Sequence, residues 1–119
     1  MAVFYEVQTE NGKEKLTLNL GALYELSRKD KPVADRYHTL YKKMQRKEAF
    51  TEFEIAEVLY IAYRCAHVKE EEHMELEEFL YVLTDNRVEI MEAFGNVFGA
   101  REKEKKQGFQ KHSGKRPRR

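Results

Sequence analysis

Val3-Phe4-Tyr5-Glu6-Val7-Gln8-Thr9, Glu10-Asn11-Gly12-Lys13, then Glu14-Lys15-Leu16-Thr17-Leu18-Asn19-Leu20 form the stretch that sets the fold class. Apolar side chains fall at Val3, Tyr5 and Val7, and again at Leu16, Leu18 and Leu20 with Lys15, Thr17 and Asn19 between. A period of two puts alternate side chains on opposite faces of an extended chain, so both runs read as strands with one face turned to a core. Asn11-Gly12 between them is the dipeptide that most readily takes the two positive φ angles of a type I′ turn. The spacing therefore predicts an N-terminal β-hairpin over residues 3–20.

Downstream the period changes from two to that of a helix. After Gly21, Leu23 and Leu26 lie on one face of a short helix that ends at Asp30-Lys31-Pro32. Pro32 suits the first turn of a second helix, where its missing N–H has no partner to lose. Val33, Tyr37, Leu40, Tyr41 and Met44 then recur along one face, leaving Asp35, Arg36, Lys42, Lys43 and Arg46 for solvent. Thr51 followed by Glu54 is a capping box, and Phe50 with Ile55 matches a hydrophobic staple, so a helix is predicted from Glu52 to about His67. Only Glu54, Glu57 and Arg64 interrupt its apolar surface. Such a helix is either the central element of the core or is covered in part by another chain. A charged connector around Glu70-Glu71-Glu72 precedes a short helix with Leu76, Phe79, Leu80 and Leu83 in one stripe. Thr84-Asp85-Asn86 restarts a last helix to about Phe98, with Met91, Phe94 and Phe98 on one face, Val88, Ile90 and Val97 flanking it, and Gly99 as its C-cap.

These elements define an α+β domain, mostly helical, with a hairpin packed on a bundle of about five helices spanning 22–98. At 119 residues the chain is one domain in size. The domain is assigned to residues 1–100. Residues 101–119 hold nine Lys or Arg against two Glu, a surplus of +7, while the rest of the chain carries 13 basic and 19 acidic residues. With Phe109 alone as a large apolar residue, this basic tail buries too little to offset its ordering entropy and is expected to be disordered. No apolar run reaches the ~18 residues of a membrane span, and the first residues lack a signal peptide's layout, which points to a cytoplasmic protein without membrane association.

Little in the chain suggests catalysis. No phosphate-binding glycine loop is present, and Ser27, Ser113 and Cys65 have no nucleophile motif around them. A lone cysteine makes no internal disulfide. Cys65 and His67, two apart, point to different sides of a helix, so with His73 they read as a buried thiol and surface histidines and not as metal ligands. The expectation is a protein with no enzymatic activity, cofactor or metal. Seven Tyr and seven Phe are many for so small a core. Partly exposed aromatics favour interfaces, so self-association or partner binding is expected, with Tyr60, Tyr63, Leu76, Phe79, Leu80 and Leu83 as candidate contact residues.

The hairpin, the segment Leu16-Thr17-Leu18-Asn19-Leu20-Gly21-Ala22-Leu23, the helices, and Leu76-Glu77-Glu78-Phe79-Leu80 ahead of Asp85 together resemble the tail assembly chaperone family of long-tailed bacteriophages and prophages of Gram-positive hosts, over residues 3 to 98. The resemblance implies a non-enzymatic, self-associating protein of the host cytoplasm. Such a protein coats the long helical tape measure protein, helps tail tube protein polymerise around it, and is absent from the mature virion. It also implies a longer form made by ribosomal frameshifting. Glu104-Lys105-Lys106 can be encoded GAA AAA AAG, which contains a slippery heptamer, and a slip there would replace Gln107 to Arg119. Two other readings stand beside it: a small nucleic-acid-binding phage or bacterial protein that uses the basic tail, and a structural connector subunit of the virion.

Overall fold

The computed structural model describes residues 4–99. Everything read from Val3 and from residues 100–119, including the tail and the frameshift site, lies outside them. Strands β1 (Tyr5–Thr9) and β2 (Gly12–Leu16) pair antiparallel, with Tyr5 opposite Leu16 and Thr9 opposite Gly12. Five helices follow among the described residues: α1 (Leu20–Lys29), α2 (Lys31–Gln45), α3 (Glu52–Ala66), α4 (Leu76–Val82) and α5 (87–99).

The hairpin reverses differently from expectation. Its loop is Glu10-Asn11, both with negative φ, and the positive φ of +110° falls on Gly12 instead. Thr9 explains the shift: its hydroxyl accepts from the Asn11 N–H at 3.1 Å and donates to the Gly12 carbonyl at 2.8 Å, which tightens the turn without a left-handed Asn11. The second strand also ends early. The Thr17 N–H donates to the Ala62 carbonyl at 3.1 Å, and the Asn19 side chain accepts from the Ala22 N–H at 3.2 Å, so α1 starts at Leu20. Gly21 is a helical residue, and a Cβ there would meet the capping Asn19 oxygen at 3.2 Å.

α3 is the core helix. Nine of its fifteen residues are buried, among them every position from Val58 to Cys65, and it packs against β2, α1, α2 and α4. Both halves of the capping box form at Thr51 and Glu54, with bonds of 3.1 and 2.8 Å. Of its four charged positions Glu52 is exposed, and the other three are engaged by neighbouring segments. Glu54 pairs with Lys43 at 3.0 Å, Glu57 takes Arg36 in a bidentate contact at 2.8 and 2.9 Å, and Arg64 reaches Asp30 at 3.0 Å. Charged pairs thus hold α2 antiparallel along α3. Arg64, buried, also donates to the Tyr60 hydroxyl at 3.1 Å.

Two aromatic clusters fill the ends of the core. Tyr37, Tyr41, Phe50, Phe94 and Phe98 meet where α2 and α5 converge, and Tyr60, Tyr63 and Phe79 pack beneath the 67–75 connector. The outer edge of β1 is covered by the link after α4: Glu10 N–H donates to the Val82 carbonyl at 2.8 Å, and Thr84 N–H to the Gln8 carbonyl at 3.1 Å. This isolated bridge pairs backbone groups at the Thr9 end of the edge, where another strand could otherwise add. In α5 the inward residues are Ile90, Ala93, Val97 and Phe98, with Phe94 half-buried, whereas Met91 is 50% exposed. The expected Met91 face is therefore rotated. Asn86 sets the phase by capping the Val88 and Glu89 N–H groups at 3.0 and 3.2 Å. Gly99 keeps a helical backbone and is not a left-handed cap within these residues.

Candidate partner-binding groove

A groove of about 420 Å³ opens where the first turn of α3, the end of α4 and the first turns of α5 meet. Phe53, Ile55 and Ala56 come from α3, Leu80 and Leu83 from α4 and its end, and Ile90 and Met91 from α5. Each wall is fixed by local chemistry. The Thr51 capping box starts α3 so that Phe53, one residue into the helix, stands 74% exposed. Leu83 closes α4 and bridges to Thr9, which holds the link to α5 in place. Asn86 then starts α5. Glu52 and Arg87 make an ion pair at 2.8 Å on the rim, joined there by Thr84 and Asp85. Val88 and Tyr81, 76% and 78% exposed, add apolar surface on the same two helices.

The floor is apolar and the rim carries Glu52, Thr84, Asp85 and Arg87, a lining suited to apolar side chains presented from a helix or an extended segment. A shallower depression continues along the same side of α3, lined by Val33, Tyr60, Ile61 and Leu76 and edged by the Arg36–Glu57 and Arg64–Asp30 pairs.

The six candidate contact residues separate into two groups. Leu80 walls the groove, Leu83 forms its buried floor, and Leu76, half-buried, lies at the second depression. Tyr63 and Phe79, at 5% and 0% exposure, point into the core, and Tyr60, at 3%, offers only a sliver of its ring to the second depression. The two tyrosines brace the connector: the Tyr60 hydroxyl donates to the Met74 carbonyl at 3.0 Å, and the Met74 N–H donates to the Tyr63 hydroxyl at 2.8 Å. Burial raises the pKa of both phenols. Sequence reasoning missed Phe53 and Met91. Phe53 stands in the first turn of a helix apolar nearly all round, and no periodicity marks which member of such a helix is left outside.

The remaining chemical candidates take ordinary places. Cys65 is buried and desolvation pushes its thiol up to about 12, which disfavours the thiolate at neutral pH. The Ser27 hydroxyl donates to the Tyr24 carbonyl at 2.6 Å along its own helix. His67 contacts Glu70 at 2.9 Å and Glu14 at 3.6 Å, and His73 meets the Met74 carbonyl at 3.0 Å. Among the described residues no three His, Cys, Asp or Glu side chains converge on a metal-sized site, and no helix is long and apolar enough to cross a membrane.

No protein-family model, curated protein or solved structure matches the chain.

Proposed function

We propose that this protein is a non-enzymatic assembly helper of the phage tail chaperone kind, whose groove holds apolar side chains of a long helical client in the host cytoplasm. The observation that carries the reading is the exposed set Phe53, Leu80 and Met91 around a defined concavity, on a surface otherwise rich in charge. A helper of this kind needs apolar surface to offer and charge to keep the complex dissolved. Resemblance over residues 3 to 98 supplies the client: the tape measure protein, with the tail tube protein as the subunit whose polymerisation is assisted.

The test begins with the gene. Sequencing from codon 100 past the stop is expected to reveal a very long, helical reading frame, whose product is then co-expressed with the chain. Wild-type protein is expected to co-purify with that product, and Phe53→Asp combined with Met91→Lys to lose it while keeping the helical circular dichroism. A client retained by the double variant would remove the groove from the proposal. A chain recovered in finished particles would instead make it a virion subunit.

A further inference from the structure

Glu14 is an acidic residue on the inward face of its strand. It alternates with Gly12 and Leu16 on the side of β2 that turns to the core, whereas Lys13 and Lys15 are exposed. Its side chain is 20% exposed, and its ion-pair partner among the described residues is His67 at the end of α3, with Nε2 3.6 Å from Glu14 Oε1. The His67 ring is equally enclosed, and its Nδ1 stands 2.9 Å from Glu70 Oε2 in the connector. His67 Nε2 is buried without a hydrogen-bond partner among the described residues. The imidazole therefore lies between two carboxylates carried by segments distant in sequence.

Counting protons decides which form of the ring fits. Ionised carboxylates only accept, and a neutral imidazole has a single N–H. Either neutral tautomer turns a lone pair on a carboxylate oxygen: toward Glu14 when Nδ1 carries the hydrogen, toward Glu70 when Nε2 does. Imidazolium offers an N–H to each. The neighbouring cations are engaged elsewhere: Lys29 by the Val68 carbonyl at 2.7 Å and by Glu25, Lys69 by Glu25 at 3.1 Å, and Arg64 by Asp30 and the Tyr60 hydroxyl. Glu71 and His73 share the depression beside the ring, with His73 on the Met74 carbonyl. Tyr63, its ring 4.7 Å from that of His67, accepts from the Met74 N–H and feels Glu78 of α4 only at a distance. We infer that His67 is a proton-operated clamp, which as imidazolium ties the hairpin through Glu14 to the connector through Glu70 and on losing its proton releases the hairpin. Glu70 is exposed and its contact is screened by water, so the Glu14 pair carries most of the effect. Histidine changes charge between pH 5 and 8, so the clamp closes on mild acidification.

Melting temperatures of the full chain as wild type, His67→Gln, Glu14→Gln and the double variant, each at pH 5.5 and pH 8.5, test the clamp. A ring that gains a partner only when charged adds stability below the ordinary histidine range, ~6.5, and loses it as pH rises. The part of the His67→Gln loss that disappears in the Glu14→Gln background is expected to be a few degrees at pH 5.5 and close to zero at pH 8.5. Glu14→Gln by itself gives a second reading, because its amide can donate to Nε2 of the neutral ring. It is expected to lower the melting temperature at pH 5.5 and to leave it level or raise it at pH 8.5. A coupling between the two positions that is equal at both pH values, or larger at pH 8.5, overturns the proposal, and so does a Glu14→Gln loss that does not change with pH.

Discussion

Thr51 does more for this fold than its size suggests, because its hydroxyl and backbone N–H are both engaged by the first turn of the helix on which the core is built. Thr51→Ala is expected to lower stability by about 1 kcal/mol, read from urea unfolding, with the folded spectrum unchanged. Lys47 presents the opposite case. Its φ of +60° is a left-handed conformation in the link between α2 and α3. A side chain there costs ~1 kcal/mol that glycine avoids, so Lys47→Gly is expected to raise stability by up to about 1 kcal/mol in the same assay. Cys65 should resist alkylation in the native protein at pH 8, since its thiol lies near 12, and react on unfolding. Rapid labelling of the folded chain would mean that α3 is less enclosed than its burial states.

At the scale of elements, the cap of α3 carries a pH dependence with a definite sign. The Glu54 carboxylate sits below its ordinary value, held first by the Thr51 N–H and then by Lys43. A carboxylate lowered by folding contributes its stability above its unfolded pKa, ~4.3, and loses it as pH falls through the depressed folded value. The melting-temperature difference between wild type and Glu54→Gln is therefore expected to narrow on going from pH 7 toward pH 3; a constant difference would mean the charge plays no part. This cap was also the most legible feature of the sequence, since Thr51 and Glu54 name their own geometry. Strand alternation likewise marked the hairpin, and apolar spacing marked the helices. The turn was misread because Thr9, outside the Asn-Gly pair, supplies the hydroxyl that moves the positive φ to Gly12. The phase of α5 was misread because Ala93 and Ile90 face inward while the larger Met91 does not, and size alone favoured Met91. The groove arises from three segments distant in sequence, so its make-up follows from helix packing and not from any local pattern. Leu80 and Leu83 line the groove together because they share a stripe, and Tyr60, Tyr63 and Phe79 read like them in sequence because an apolar residue looks the same in a core as on a surface.

Across the whole molecule the charges are sorted by position, with residues 69–99 at −7 and 101–119 at +7. That arrangement separates the two rival partners by the sign of a salt effect. If the basic segment were built to contact nucleic acid, each neutralised phosphate would release counterions, and six or so contacts would lose about a thousandfold in affinity between 50 and 200 mM salt. The proposed client binding through Phe53, Leu80 and Met91 would depend on apolar burial, which salt in this range hardly changes. The affinity for the long helical client is thus expected to stay level between 50 and 500 mM salt, as measured by fluorescence anisotropy of a labelled client helix. A steep fall for the client would place charge, and not the apolar groove, at the centre of recognition. A steep fall for single-stranded nucleic acid alone, with affinity strong at 200 mM, would make the basic segment the working surface of the protein.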